Sequence, residues 1–215
     1  MMKKSCGWMV VGSAMSLAAA HAQAQCTNLY VDVSAGPAIQ QDISVHNSSF
    51  GNGGTVNFND GVRASVKIGY DLTPSFAAEL ETGIIWNGIN SIHGNTLSDF
   101  GANANIYEIP LLANFIYKPL HGAFEPYVGV GCGGVAGIFD ESSTPLIGSS
   151  FNDSDFVFAY QAEVGFKYAV SQNVELGLAY QFLGTTDHHW SDNGVFLNTA
   201  GTMTHAITAT FTWRF

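Results

Sequence analysis

Apolar and polar side chains trade places at every second position through most of this chain. In the last segment Met203, Ile207, Ala209, Phe211, Trp213 and Phe215 share one parity; Thr204, Thr208, Thr210, Thr212 and Arg214 share the other. A period of two marks a strand with two unlike faces. "DFVFAYQAEVGFKY" sets Phe156, Phe158, Tyr160, Val164, Phe166 and Tyr168 against Gln161, Glu163 and Lys167. "NVELGLAYQF" sets Val174, Leu176, Leu178, Tyr180 and Phe182 against Glu175, Gly177, Ala179 and Gln181. Upstream, Leu29, Val31 and Val33 alternate with Tyr30, Asp32 and Ser34, and Val62, Val66, Ile68 and Tyr70 with Arg63, Ser65, Lys67 and Gly69. Phe76, Leu80, Ile84 and Trp86 alternate with Glu79, Glu81 and Gly83. Tyr107, Ile109, Leu111, Phe115 and Tyr117 alternate with Glu108, Pro110 and Asn114. Phe124, Val128, Val130 and Cys132 alternate with Glu125, Tyr127, Gly129, Gly131 and Gly133. The pattern predicts eight strands, and no segment carries the helical period.

The predicted connections alternate in length. Tight turns fall at Asp71–Ser75, Lys118–Ala123 and Ala169–Asn173. Long Gly/Asn/Ser-rich loops fall at roughly 41–59, 88–104, 139–153 and 185–202. Hairpin connections are normally a few residues, so four long loops on one side need a cause. Up-and-down order with an even strand number places both termini on the turn side, the layout of an outer-membrane barrel with periplasmic turns and extracellular loops.

Alternation alone does not say which face is inside. A soluble eight-stranded barrel keeps its apolar side chains within, but an eight-stranded lumen is only just wide enough for side chains to fill. Here the apolar parity holds most of the strand Phe, Tyr, Trp, Leu and Val. The other parity holds Gly129, Gly131, Gly133, Gly137, Ala159, Gly165, Gly177 and Ala179. The small set is therefore the lumen, and the bulky set faces lipid. A closed barrel also satisfies every backbone N–H and C=O in hydrocarbon, with strands of about ten residues spanning the apolar band. Aromatics gather at the two expected rims: Tyr70, Phe76, Tyr117, Phe124, Tyr168, Trp213 and Phe215 toward the turns, and Trp86, Tyr107, Phe156 and Phe182 toward the loops.

Composition refines this picture. The first residues, with Lys3 and Lys4, an apolar stretch and small residues at Ala22 and Ala24, form a secretory signal peptide; cleavage is expected after Ala24, with Ala22 as the rival site, leaving residues 25–215 as one barrel domain. Gln25 stands where a lipoprotein signal needs a small residue before Cys26. Of seven Lys and Arg, removal of Lys3 and Lys4 leaves Arg63, Lys67, Lys118, Lys167 and Arg214 against 17 acidic residues, which argues against nucleic acid as a partner. Cys26 and Cys132 fall at different heights of the barrel and are read as free thiols.

At these residues the chain resembles the small bacterial outer-membrane barrels, the OmpA-like transmembrane and Opa-type surface-antigen family. The likeness covers the whole mature chain and is carried by "ITATFTWRF", "VSQNVELGLAYQF" and "PYVGVGCGG". It implies that Phe211, Trp213 and Phe215 form the terminal aromatic signal presented to the barrel assembly machinery. Unlike in full-length OmpA-type proteins, no peptidoglycan-binding domain is expected after Phe215.

Candidate chemistry is sparse. Asp32, Glu79, Glu81, Glu108, Glu125, Glu163 and Glu175 share the lumen parity with Arg63, Lys67, Lys167 and Arg214, so a network of ion pairs is expected to fill the barrel. "GVGCGG" lacks the following helix of a phosphate loop; its glycines make room for long side chains opposite. His189 and Ser191 have the H-x-S spacing of the lipid A deacylase family, but that family's Glu follows its Ser, and no Glu follows Glu175 here. His46, His93, His188 and His189 lie in the loops among Asp42, Asp99, Asp140, Glu141, Asp153, Asp155, Asp187 and Asp192, without the defined spacing of a zinc site. Those loops contain no Lys or Arg, and an acidic crown of this kind bridges to lipopolysaccharide phosphates through divalent cations or meets other cells.

The expectation is an all-β chain: an eight-stranded antiparallel up-and-down transmembrane barrel preceded by a cleaved signal peptide. It resides in the outer membrane as a monomer with both termini periplasmic, without cofactor or metal, in contact with outer-membrane lipid and lipopolysaccharide. The expected role is non-enzymatic: an envelope anchor whose loops serve surface contact, adhesion or antigenicity. A narrow channel for ions or small solutes is the alternative, and a lipid A deacylase-like esterase a third.

Overall fold

The computed structural model describes residues 28–48, 55–92, 95–96, 104–141, 152–192 and 195–215. The barrel strands are β1 (Leu29–Gln40), β2 (Gly61–Thr73), β3 (Phe76–Ile92), β4 (Ala104–Tyr117), β5 (Phe124–Glu141), β6 (Asn152–Ala169), β7 (Val174–Thr185) and β8 (Met203–Arg214). Each pairs antiparallel with its neighbours in chain order, and β1 pairs with β8 through Val31 opposite Trp213 and Val33 opposite Phe211. The ring is closed and leaves no edge in the wall.

The faces fall as the parity predicts. Along β8 the even positions Thr204, Ala206, Thr208, Thr210 and Thr212 are buried, while Met203, Ile207, Phe211 and Trp213 stand outward. Outward exposure reaches 67% at Phe156 and 64% at Leu80 and Val130, values that only lipid would tolerate across a whole wall. Aromatics pack into rims: Phe76 lies 5.2 Å from Tyr117 at the turn end, and Phe182 lies 6.1 Å from Tyr160 toward the loops. Phe215 donates its backbone N–H to Leu29 at the turn-side edge. Cys132 faces outward as a free thiol. Residues 1–24, the predicted cleavage site and Cys26 lie outside the described residues.

Glycine on the inner face serves bulk elsewhere. A Cβ at Gly129 would meet Ile116 and Glu163, one at Gly131 would meet Asn114, and one at Gly165 would meet the Tyr127 ring. The lumen therefore holds large side chains only because their neighbours have none.

Two expectations need correction. The strands are longer than ten residues: β5 and β6 run to 18 residues each and β3 to 17. At about 3.3 Å per residue and a tilt near 45°, an 18-residue strand rises roughly 40 Å, well beyond an apolar band of about 25 Å. The long connections are also not structureless. Ile43–Ser48, Thr55–Phe58, His188–Asp192 and Val195–Thr199 are strands, joined edge to edge and onto the upper end of β3. The wall thus continues past the membrane as a crown sheet. Backbone pairing does not require apolar side chains, so Gly/Asn/Ser composition hid these strands.

Candidate functional site

The inner face stacks polar and apolar layers from the turn end to the loop end. At the turn-side mouth, Arg214 lies 2.6 Å from Asp71 and 2.5 Å from Glu175, and Lys118 lies 2.8 Å from Asp71 and 3.5 Å from Glu125. Above them, Lys167 pairs with Asp32 at 2.9 Å, which also accepts from the Thr212 hydroxyl at 2.6 Å. The same ammonium stands 5.1 Å from the Tyr30 ring and 5.5 Å from the Tyr127 ring, a cation–π sandwich.

The next layers reach across the lumen. Lys67 on β2 lies 2.5 Å from Glu163 on β6, the diametrically opposite strand, with Glu79 at 3.5 Å and Glu81 at 3.8 Å. Tyr30 donates to Glu79 at 2.6 Å. Arg63 pairs with Glu81 at 2.8 Å and also donates to Gln161 across the ring. Gln161 and Asn114 donate back to Glu81 at 2.7 and 2.8 Å. Arg63, Lys67 and Glu81 are 0%, 3% and 1% exposed. Charges this deep persist only when paired and hydrogen-bonded, and Glu81, with two cations and two amides around it, is the hub.

Toward the loops the filling turns apolar. Ile85, Leu112, Val135, Val157 and Leu183, with Ala38, Ala159 and Ala206, form one buried cluster. Near it Glu108 is buried, accepting a 2.9 Å bond from Thr202 through one oxygen while the other has no protein partner. Its position differs from that of Glu81 in having no cation within ion-pair distance among the described residues. Glu108→Gln is therefore expected to hold or raise stability, because the amide keeps the Thr202 bond and removes an uncompensated buried charge. Urea titration of the folded form in lipid vesicles checks this, against Glu81→Gln, which should lower the midpoint.

The structure places Asp32, Arg63, Lys67, Glu79, Glu81, Glu108, Glu163 and Lys167 deep in the lumen, and Glu125, Glu175 and Arg214 at its turn-side mouth. Two members were missed at the sequence level: Asp71 and Lys118, which the turns "DLTPS" and "KPLHGA" had claimed. Both continue the inner parity of their strands, Arg63-Lys67-Asp71 and Glu108-Asn114-Lys118, and that continuation was the available signal. Every Lys and Arg after Lys4 is thus committed to the interior. His93 and Asp99 lie outside the described residues. For His46, His188, His189, Ser191, Asp140, Glu141, Asp153, Asp155 and Asp192 only the backbone is described, so the metal and esterase readings gain no side-chain geometry. The H-x-S pair does not sit in a loop, as expected, but on the crown strand His188–Asp192.

A closed ring of eight antiparallel strands, apolar outside and ion-paired within, is an integral membrane β-barrel. The family is shown by sequence: the chain belongs to the outer membrane protein beta-barrel domain family, whose model matches residues 10–215. It is accordingly an outer-membrane protein. Among solved structures it is similar to the outer membrane protein OprG from Pseudomonas aeruginosa (TM-score 0.61, 15% identity, covering 88% of this chain and 97% of that one). It is also similar to Neisserial surface protein A (0.54, 17%, 87% and 97%) and to outer membrane protein AlkL (0.55, 14%, 100% and 98%). At these identities the likeness is one of fold. No curated protein matches by sequence.

Proposed function

We propose that the chain is a non-enzymatic, monomeric barrel that anchors a rigid acidic crown at the cell surface for contact with other surfaces, both termini being periplasmic. The observation that carries this is the division of charge. Arg63, Lys67, Lys118, Lys167 and Arg214 are all spent inside, so the loop end carries carboxylates and no Lys or Arg, on strands that lift it clear of the bilayer. Such a surface suits cation-bridged contact with lipopolysaccharide phosphates and repels uncompensated anions. The outward Phe211, Trp213 and Phe215 at the turn end suit presentation of the last strand to the barrel assembly machinery.

The other readings find less support. Lys67–Glu163 and Arg63–Gln161 cross the lumen, and the apolar cluster around Ile85 and Leu112 fills it above them, which disfavours a channel. Glu175, the last glutamate of the chain, is engaged by Arg214 at the end of the barrel opposite Ser191, which disfavours an esterase triad.

The test replaces residues 188–199 by a short Gly-Ser hairpin. The trimmed barrel should keep its heat-modifiable gel migration while cells displaying it lose adhesion to host-cell and matrix surfaces. Unchanged adhesion would end this reading.

A further inference from the structure

The deep lumen sets Asp32, Glu79, Glu81, Glu108 and Glu163 against Arg63, Lys67 and Lys167. Lys167 takes Asp32, Arg63 takes Glu81, and Lys67 is shared by Glu163 and Glu79. Glu108 is left over. A buried carboxylate is strongly disfavoured without a counter-charge, so it is matched either by a proton or by an ion from outside the chain. Its surroundings favour the ion.

Glu108 belongs to a belt of side chains around the loop-side end of the lumen. One of its oxygens accepts from Thr202, which stands on the opposite side of the ring just before β8. Thr204 follows on β8 and faces Gln40 on β1. Gln40 in turn accepts a 2.5 Å bond from the Asn87 carboxamide on β3. A Cβ at Gly61 would strike Asn87 Oδ1, so the glycine is what lets this group reach across β2. The circuit closes along the β3–β4 ladder, where Ile85, two residues before Asn87, faces Glu108. Glu108, Asn87 and Thr204 are 1% exposed or less, and each holds an oxygen without a hydrogen-bond partner: Glu108 Oε2, Asn87 Oδ1 and Thr204 Oγ1. Among these belt residues Gln40 Nε2 is the one unpaired donor. A proton on Glu108 would engage at most one of the other oxygens. A cation can take all three.

We propose that this belt binds a monovalent alkali cation, sodium or potassium, which fastens the base of the crown across the lumen. Hard cations take oxygen ligands, and neutral amide and hydroxyl oxygens complete the shell begun by a carboxylate. One carboxylate balances one charge. A divalent ion would leave an excess in a row that already holds Arg63, the β2 partner of Ile85. Just outside the belt stand the exposed Asp42, Asp60 and Asp187, two residues beyond Gln40, next to Gly61 and two residues beyond Thr185. They raise the local concentration of cations. Thr202 ends the link from Val195–Thr199 to β8, and its hydroxyl lies 3.0 Å from that of Thr185, at the foot of the link to His188–Asp192. An ion held by Glu108 therefore ties two crown strands to β4. The site does not depend on what the crown contacts.

The urea midpoint of the barrel folded in phosphatidylcholine vesicles tests this, in sodium, potassium or choline chloride at equal ionic strength. Wild type should be more stable in the sodium or potassium salt than in choline chloride, whose cation is too large for the belt. Glu108→Gln keeps the Thr202 bond and should show one midpoint in all three. The comparison made for it above concerns the barrel without the ion, so its lead over wild type should shrink when sodium or potassium is added. Thr204→Val removes one neutral ligand and leaves Glu108 in place; it should raise the half-saturating salt concentration by about tenfold. Equal wild-type midpoints in the three salts would overturn the proposal, and a rise on acidification alone would assign the counter-charge to a proton. An undiminished sodium response in Glu108→Gln would also overturn it, as would a response to calcium chloride that sodium and potassium fail to give.

Discussion

Lys67→Met should be among the most damaging single changes in the barrel, lowering stability by about 3–5 kcal/mol. The ammonium is the shared partner of Glu163, Glu79 and Glu81, and the first of these contacts ties β2 to β6 across the ring. Methionine fills much of the volume but leaves three carboxylates buried at 5% exposure or less with Arg63 as the nearest compensation. The urea midpoint of folded protein in vesicles, read as the fraction of heat-modifiable band, measures the loss. Adding Glu163→Gln to Lys67→Met should recover part of it, since one orphaned charge is removed. A midpoint equal to wild type would mean that the network does not hold the barrel.

The second large effect concerns the other face. Val130 is 64% exposed and lies six residues up β5 from the rim residue Phe124, near the middle of the apolar band. Val130→Arg should cost about 2–4 kcal/mol in a bilayer, whereas Asn59→Arg, on an exposed loop-end position, should cost little. The same vesicle titration compares them. If the arginine at 130 were harmless, the outward face would not be in hydrocarbon.

The sequence disclosed the faces better than the contacts between them. Glu163 buried beside outward Val164, or Thr212 beside Trp213, follows from a period of two and from the volume of an eight-stranded lumen. Periodicity along one strand is silent on which strand lies opposite. Lys67 meets Glu163 from 96 residues away because the ring closes with β2 facing β6, a result of closure and stagger that no local pattern contains. Ile85, Leu112 and Leu183 were not foreseen as an apolar filling because they keep the inner parity while lacking its polarity. Asp71 and Lys118 were obscured because turn residues attract attention for their chain reversal and not for the face they continue.

The confinement of every described Lys and Arg to the lumen and its turn-side mouth has a practical corollary. Trypsin cuts after these two residues, and amine-directed labels and cross-linkers seek lysine; the folded barrel offers neither on its outer surfaces, while the unfolded chain exposes all of them. Surface proteomics by lysine tagging would pass over this protein on an intact cell, and limited digestion would separate its folded from its unfolded molecules cleanly.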